Sequence, residues 1–263
     1  MSFRDAGWVW EGLGTHAGVW PSLYGIGEGY RYFGVPGVNF MFHPNNEIAF
    51  TKLKDAPRVV ADISKWNFEH VKENGYEVGF KGVHDPDPET IRAEAENLSR
   101  LSTHFPNLVG GIIDDASGMF RFESYGTSGP ADIRSALHSA NRNLRLWVVV
   151  YANELDDEKW QLLLPHMDVA NLWLWKSEEI PNLEAHVAHC AAKFPGKSII
   201  VGSYLRDFTL RTGVPMDRLK LQYETMLKLW EQGRIEGFSI LGAFLIDQDV
   251  EQAEWVKGFL GER

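Results

Sequence analysis

Short apolar segments alternate along the chain with longer segments in which apolar residues recur every three or four positions. The short runs are typical of strands buried on both faces, and the longer spacing is typical of amphipathic helices. The pattern predicts nine strands, at residues 8–13, 38–42, 59–63, 78–83, 109–113, 146–151, 169–175, 198–203 and 238–244. Such an alternation indicates a parallel sheet covered by helices.

Eight helices are predicted between these strands, at residues 46–54, 66–74, 88–104, 131–141, 156–166, 181–194, 216–232 and 250–260. Their ends carry recognisable signals. Asp87-Pro88 places a capping residue before a proline at the first helical position, and Gly75 directly follows the predicted helix 66–74.

Eight or nine such units in 263 residues favour one α/β domain, a (β/α)8 TIM-like barrel over residues 1–263. A doubly wound sheet is less favoured, because the glycines between Gly25 and Gly29 depart from G-x-G-x-x-G and do not directly follow a strand. Nine strands are one too many for the barrel, so either 8–13 is an extra N-terminal strand or another prediction is wrong. Residues 12–36 form an irregular segment rich in glycine and aromatic residues. We interpret it as a loop over the active face of the barrel, and the alternative is a plug at the opposite end of the barrel.

Composition narrows the class of protein. Hydrophobic residues make up 44% and charged residues 24%, and the net charge of −10 disfavours a nucleic-acid partner. The single cysteine, Cys190, excludes an intramolecular disulfide, and its helical surroundings predict a core residue. The N-terminus lacks a signal-peptide pattern and no apolar run would span a bilayer, so a soluble, cytoplasmic protein without a membrane partner is expected. Nothing in the sequence indicates an oligomeric state.

Polar residues follow nearly every predicted strand. In a (β/α)8 barrel the carboxyl ends of the strands converge on one site. Any one polar residue there has an alternative interpretation as a helix cap or solvated loop residue. A whole ring of them favours a functional site, because inward-pointing charges are costly unless they are paired or used. The strand ends carry Glu11, His43, Asp62, His84 with Asp85, Asp114 with Asp115, Asn153 with Glu154, Lys176, Tyr204 with Arg206-Asp207, and Asp247.

Several carboxylates on one rim favour hydrolysis of glycosidic bonds, which needs one carboxyl group as acid and another as nucleophile or base. The predicted catalytic pair is Asp114 or Asp115 with Glu154, and Asp247 is the third choice. Neighbouring residues on a strand point to opposite faces, so only one of the two aspartates is expected to face the centre, and Asp114 is favoured. Residues predicted to bind a small-molecule or oligosaccharide substrate are Glu11, Trp20, His43, Asp62, His84, Trp175, Lys176 and Tyr204.

Three parts of the sequence resemble a known class of proteins. Gly110-Gly111-Ile112-Ile113-Asp114-Asp115, Glu154, and residues 237–242 with Glu254-Trp255 resemble TIM-barrel proteins of the glycoside-hydrolase-like class, which has many bacterial members. The resemblance implies a carbohydrate-active enzyme that needs no cofactor. The chain departs from the chitinase-type D-x-x-D-x-D-x-E run after Asp115. Its Asn153-Glu154 pair follows a later strand than the fourth, where the large retaining clan has such a pair.

Two other functions stay open. His43, His84, Asp62, Asp114 and Glu154 could together form a mixed nitrogen and oxygen shell for zinc, manganese or magnesium, as in barrel hydrolases and sugar isomerases or epimerases. No H-x-H or H-E-x-x-H spacing supports that metal site, so no bound metal is the primary expectation. The other function is non-catalytic, a barrel that binds a carbohydrate or a partner at an aromatic-rich rim.

Overall fold

The computed structural model describes residues 2–12, 19–64, 66–85, 87–119, 126 and 128–263, without the side chains of 66–69, 77–84 and 119. Eight parallel strands close into a barrel in the order β1-β2-β3-β6-β7-β8-β9-β12, which confirms the predicted (β/α)8 fold. The strands in chain order are β1 Gly7–Glu11, β2 Gly37–Phe40, β3 Arg58–Asp62, β4 Trp66–Glu73, β5 Tyr76–His84, β6 Leu108–Ile113, β7 Arg145–Tyr151, β8 Val169–Trp173, β9 Ser198–Tyr204, β10 Arg206–Asp207, β11 Thr212–Gly213 and β12 Gly237–Leu241.

Helices follow the strands and cover the outside of the barrel. Their bounds are α1 Gly29–Phe33, α2 Glu47–Lys52, α3 Pro88–Leu101, α4 Ala116–Met119, α5 Gly129–Leu137, α6 Trp160–Leu163, α7 Leu183–Lys193, α8 Met216–Glu231 and α9 Val250–Gly261. Short 3-10 turns lie at Arg4–Ala6, Ala152–Glu154, Ser177–Asn182 and Ala243–Leu245. Among the described residues, none of the helices is long and apolar enough to cross a membrane.

The surplus predicted strand, 78–83, lies outside the barrel. It forms part of β5, which pairs antiparallel with β4 in a separate two-stranded sheet. The predicted helix 66–74 is therefore wrong, because this stretch is strand β4. Asn74 and Gly75 have φ angles of 51° and 85°, the left-handed conformation of a tight hairpin turn, so the Asn-Gly pair marks a reversal and not a helix end.

Tryptophan side chains fill much of the barrel interior. The rings of Trp8 and Trp147 lie 4.7 Å apart edge to face, and those of Trp10 and Trp173 lie 5.5 Å apart in the same arrangement. Trp173 is only 2% exposed, so it packs inside the barrel and offers no platform to a ligand. Trp8 and Trp10 point inward, and by strand alternation Val9 and Glu11 point out toward the helices.

Cys190 belongs to the outer layer of the core, between the sheet and the helices. It is fully buried, and burial raises the pKa of its thiol to about 12. A thiol of that kind is not ionised at neutral pH, which fits the predicted core role.

Candidate functional site

The centre of the candidate site is a pair of carboxyl groups at the ends of two adjacent strands. Asp62 ends β3 and Asp114 directly follows β6, and the two strands are hydrogen-bonded neighbours. Alternate residues of a strand share a face, so residues 110, 112 and 114 point into the barrel, as do Val60 and Asp62 on β3. Both carboxyl groups therefore lie in the barrel mouth. Both residues are nearly inaccessible to solvent.

Asp62 is held by hydrogen bonds from two segments. Its Oδ1 accepts the backbone N–H of Ser64 at 2.8 Å and the Ser64 hydroxyl at 2.7 Å. Its Oδ2 accepts the backbone N–H of Phe42 at 3.3 Å. Phe42 has a φ of 63°, a conformation that non-glycine residues rarely adopt and that clusters at functional sites.

Asp114 has the environment of a carboxyl group that keeps its proton. Burial, followed by the negative charges of Asp115 and Asp62, raises the pKa of Asp114 well above its usual range. The backbone N–H of Asp115 donates to the carboxyl group and opposes this shift without cancelling it. A protonated carboxyl group at a barrel mouth can donate a proton to a bound substrate.

Asp115 also faces the mouth, although strict strand alternation would turn it away. Its φ of 43° takes the backbone out of the extended conformation directly after β6. Its carboxylate accepts a hydrogen bond from the hydroxyl of Tyr151, the last residue of β7. The expectation that only one of the two aspartates can face the centre is therefore corrected, because alternation ends where the strand ends.

Aromatic side chains surround this cluster on the side of β7 to β9. Tyr151 and Tyr204 are hydrogen-bonded to each other, and burial raises the pKa of both, with a further increase from the charges of Asp115 and Asp114. The ring of Trp175 lies 6.0 Å from Tyr151 and 6.4 Å from Tyr204, edge to face in each case. Trp175 remains 47% exposed, so one side of an aromatic ring is open to a ligand next to the acidic cluster.

Two carboxylates predicted for the site hold the segment after β1. Asp247 accepts the hydroxyl of Ser22 and the backbone N–H of Leu23, both at 2.7 Å. Glu11 points outward, where its oxygens accept the N–H of Tyr30 at 2.8 Å and of Gly27 at 3.1 Å. Burial raises the pKa of Glu11 to about 7, and the hydrogen bonds from the backbone limit the increase.

Further carboxylates join the neighbouring loops. Asp207 accepts the N–H of Ser177 at 3.1 Å and that of Leu210 at 2.9 Å, which ties the loop after β8 to the loop after β9. Arg206 pairs with Asp249 at 3.1 Å and so ties the loop after β9 to the loop after β12. Together with Asp247 these contacts make one continuous series, called here the linked rim, which joins the loops after β8, β9, β12 and β1.

The other predicted site residues lie as follows. Glu154 ends the 3-10 turn after β7 and is partly buried, and its carbonyl oxygen accepts the indole N–H of Trp160 at 2.6 Å. The ring of His43 stacks on Phe40 with centroids 5.8 Å apart. Lys176 is exposed, and Trp20 is exposed on the segment after β1. His84 ends hairpin strand β5, so it is not at a barrel strand end as predicted, and its side chain is outside the described part.

Sequence reasoning missed two residues of the cluster, Ser64 and Tyr151. Tyr151 could have been found, because it follows Trp147 and Val149 at alternate positions and so shares their inward face. Ser64 follows Asp62 in an Asp-x-Ser arrangement, in which the carboxylate commonly accepts the backbone N–H two residues on.

The described residues contain no group of three or more histidine, cysteine, aspartate or glutamate side chains arranged to hold a metal ion. Of the five residues proposed for a metal shell, Asp62 and Asp114 lie at the ends of adjacent strands, and the charges that act on Asp114 come from Asp115 and Asp62.

Comparison with known proteins shows the same architecture in several enzymes. No family model matches the chain, and no curated protein matches its sequence. A family 18 chitinase from Crocus vernus matches with a TM-score of 0.55 at 15% identity, over 96% of this chain and 99% of that one. A β-glucuronidase from Bacteroides uniformis matches with a TM-score of 0.56 at 10% identity, over 91% of this chain and 30% of the longer enzyme.

A tryptophan synthase α-subunit from Pyrococcus furiosus matches equally well, with a TM-score of 0.54 at 11% identity over 99% of this chain and 98% of that one. Its name describes a different activity, so likeness at this level establishes architecture and not chemistry. The chain thus has a TIM-barrel fold that it shares with carbohydrate-active enzymes such as the chitinase and the glucuronidase.

Proposed function

We propose that the chain is a glycoside hydrolase in which Asp114 is the proton donor. The observation that carries the proposal is the burial of Asp114 beside Asp62 and Asp115, which raises the pKa of its carboxyl group well above the usual range and so favours the protonated form that a general acid needs. The half-exposed ring of Trp175 supports a substrate with flat, partly apolar faces, such as a sugar.

The second carboxylate of the reaction is Asp115 or Glu154. As the bond between the anomeric carbon and the glycosidic oxygen breaks, the proton of Asp114 moves to that oxygen. The second carboxylate then either bonds to the anomeric carbon or takes a proton from the water that attacks it. Asp115 is supported by the hydrogen bond from Tyr151, which fixes it in the mouth. We leave out Asp247, because both of its oxygens are engaged by Ser22 and Leu23.

The role of Asp114 is tested with Asp114→Asn on a panel of oligosaccharides and of 2,4-dinitrophenyl glycosides. Loss of a general acid costs about 10²- to 10⁴-fold in turnover of oligosaccharides. Dinitrophenyl glycosides need no protonation of the leaving group and should retain most activity. Asp217→Asn, at an exposed position in the first turn of α8, is the control and should match the wild-type enzyme.

The second carboxylate is identified with Asp115→Ala and Glu154→Ala in the presence of azide. Azide restores turnover when it replaces the missing carboxylate, so the variant that azide rescues identifies the residue that acts as the second carboxylate. Equal loss of activity on both substrate types in Asp114→Asn would contradict its role as acid. A wild-type protein that binds glycans from the panel and hydrolyses none would support the non-catalytic interpretation instead.

A further inference from the structure

Ser64 joins the carboxylate of Asp62 to the backbone of Asp114 at the centre of the candidate site. Its hydroxyl donates to Asp62 Oδ1 at 2.7 Å. The hydroxyl oxygen of Ser64, Oγ, also accepts a hydrogen bond from the backbone N–H of Asp114 at 2.7 Å. Its own N–H donates to Asp62 Oδ1 at 2.8 Å. Ser64 is only 2% exposed, so bulk water does not compete for these bonds.

We propose that Ser64 is a positioning residue that fixes the Asp62 carboxylate beside Asp114 and thereby sets the pH range in which Asp114 carries its proton. This inference rests on the proposed function only for its kinetic readout. The geometry is specific, because the one hydroxyl group joins the end of β3 to the end of β6 by donating to the first and accepting from the second.

Two carboxyl groups act on Asp114, and two tyrosine hydroxyl groups in turn feel its charge. Asp62 lies at the end of β3 and Asp115 follows Asp114 after β6, and both are acidic. Tyr151 ends β7 and Tyr204 ends β9, and the charge of Asp114 acts on both hydroxyl groups. Asp62 is the one carboxylate of this set that Ser64 touches, so Ser64 acts on Asp114 through the position and charge of Asp62.

The direction of the effect follows from like-charge repulsion. A negative charge on Asp62 favours the protonated form of Asp114, so Asp62→Asn should lower the pH at which Asp114 loses its proton by about one unit. Ser64→Ala removes one donor to Asp62 and releases it from the Asp114 backbone, so we expect a shift in the same direction of roughly half a unit. Ser64→Thr keeps the hydroxyl and should retain the wild-type midpoint.

The experiment measures the titration of Asp114 directly, by NMR of protein labelled with ¹³C at the aspartate side-chain carboxyl carbon. The Asp114 signal is assigned from its loss in Asp114→Asn. The pH dependence of kcat/KM is recorded beside it, because activity that needs protonated Asp114 falls as the pH rises through its pKa. Ser203→Ala is the matched control: its buried hydroxyl donates to Gln222 of helix α8 at 3.2 Å.

The outcomes separate this inference from the proposed function. A lower midpoint in Ser64→Ala with a normal one in Ser64→Thr and Ser203→Ala supports the inference, even if no glycoside is turned over and the proposed function fails. An unchanged Asp114 midpoint in Ser64→Ala overturns it, even if the enzyme hydrolyses glycosides. Should Ser64→Ala not fold, Ser64→Cys has a similar volume and a weaker donor and is judged by the same midpoint.

Discussion

Gly202 lies directly against the indole ring of Trp173. A Cβ atom at Gly202 would stand 2.0 Å from Cδ2 of that ring, inside a barrel where the ring is already packed against Trp10. No side chain fits at that distance without movement of the tryptophan. Trp173 can fill the barrel beneath the site because the neighbouring strand β9 carries no side chain at this position.

Gly202→Ala should therefore lower the free energy of unfolding by about 1–3 kcal/mol, the usual cost of overpacking a core. The measurement is urea unfolding followed by tryptophan fluorescence. Gly258→Ala is the matched control, since a Cβ there meets no atom within 4 Å and the residue lies inside helix α9. It should raise stability by up to about 1 kcal/mol, because alanine favours helix over glycine. Equal effects of the two substitutions would contradict the packing argument.

Glu11→Gln should change how stability depends on pH. The pKa of Glu11 is about 7 in the folded protein against 4.5 for the ordinary side chain, so the folded state binds the proton more tightly. The stabilising contribution is thus complete below about pH 4.5 and is lost as the pH rises through 7. Glutamine does not ionise, so the stability of the variant relative to wild type should rise by about 3 kcal/mol between pH 4.5 and pH 8.

The measurement for Glu11 is urea unfolding of both proteins across that pH range. Glu178→Gln, at an exposed position, is the control and should run parallel to wild type. A Glu11→Gln curve that also stays parallel would show that the buried carboxyl group titrates normally.

Trp175→Ala should weaken substrate binding and leave the chemical step nearly unchanged. Loss of a ring contact worth 0.5–1.5 kcal/mol corresponds to a KM roughly 2- to 13-fold higher. The control is Leu221→Ala, which removes a partly exposed apolar side chain from helix α8 on the outside of the barrel. A drop in kcat with an unchanged KM would assign Trp175 to the reaction itself and not to binding.

Much of the fold follows from the pattern of apolar residues, because parallel strands buried on both faces are short and uniformly apolar. The barrel strand predicted at 109–113 corresponds to β6 at Leu108–Ile113. The same pattern fails at 66–74, where the spacing of Trp66, Phe68 and Val71 fits a helix as well as a strand. Only the Asn74-Gly75 turn distinguishes a strand from a helix here. Its positive φ angles mark a hairpin, but a glycine that ends a helix can adopt a positive φ as well.

The candidate site was harder to predict than the fold. The sequence places Glu11 and Asp114 at strand ends alike, but Glu11 points outward and Asp114 inward. Both faces of these strands are apolar, so the pattern does not reveal which side a terminal carboxylate takes. The position of Asp115 depends on a single backbone angle, and the bond between Asp114 and Ser64 joins residues 50 positions apart.

The linked rim and the hairpin of β4 and β5 differ in how well they should tolerate changes of sequence. The loops after β8, β9, β12 and β1 share Asp207, Asp249 and Asp247, so an altered loop there disturbs its neighbours. Among the described residues, strands β4 and β5 of the hairpin after β3 form their own two-stranded sheet and pair with no barrel strand. The hairpin is thus a self-contained insertion, and exchanging it for another hairpin would vary what the mouth accepts while Asp62 and Asp114 stay on the barrel strands.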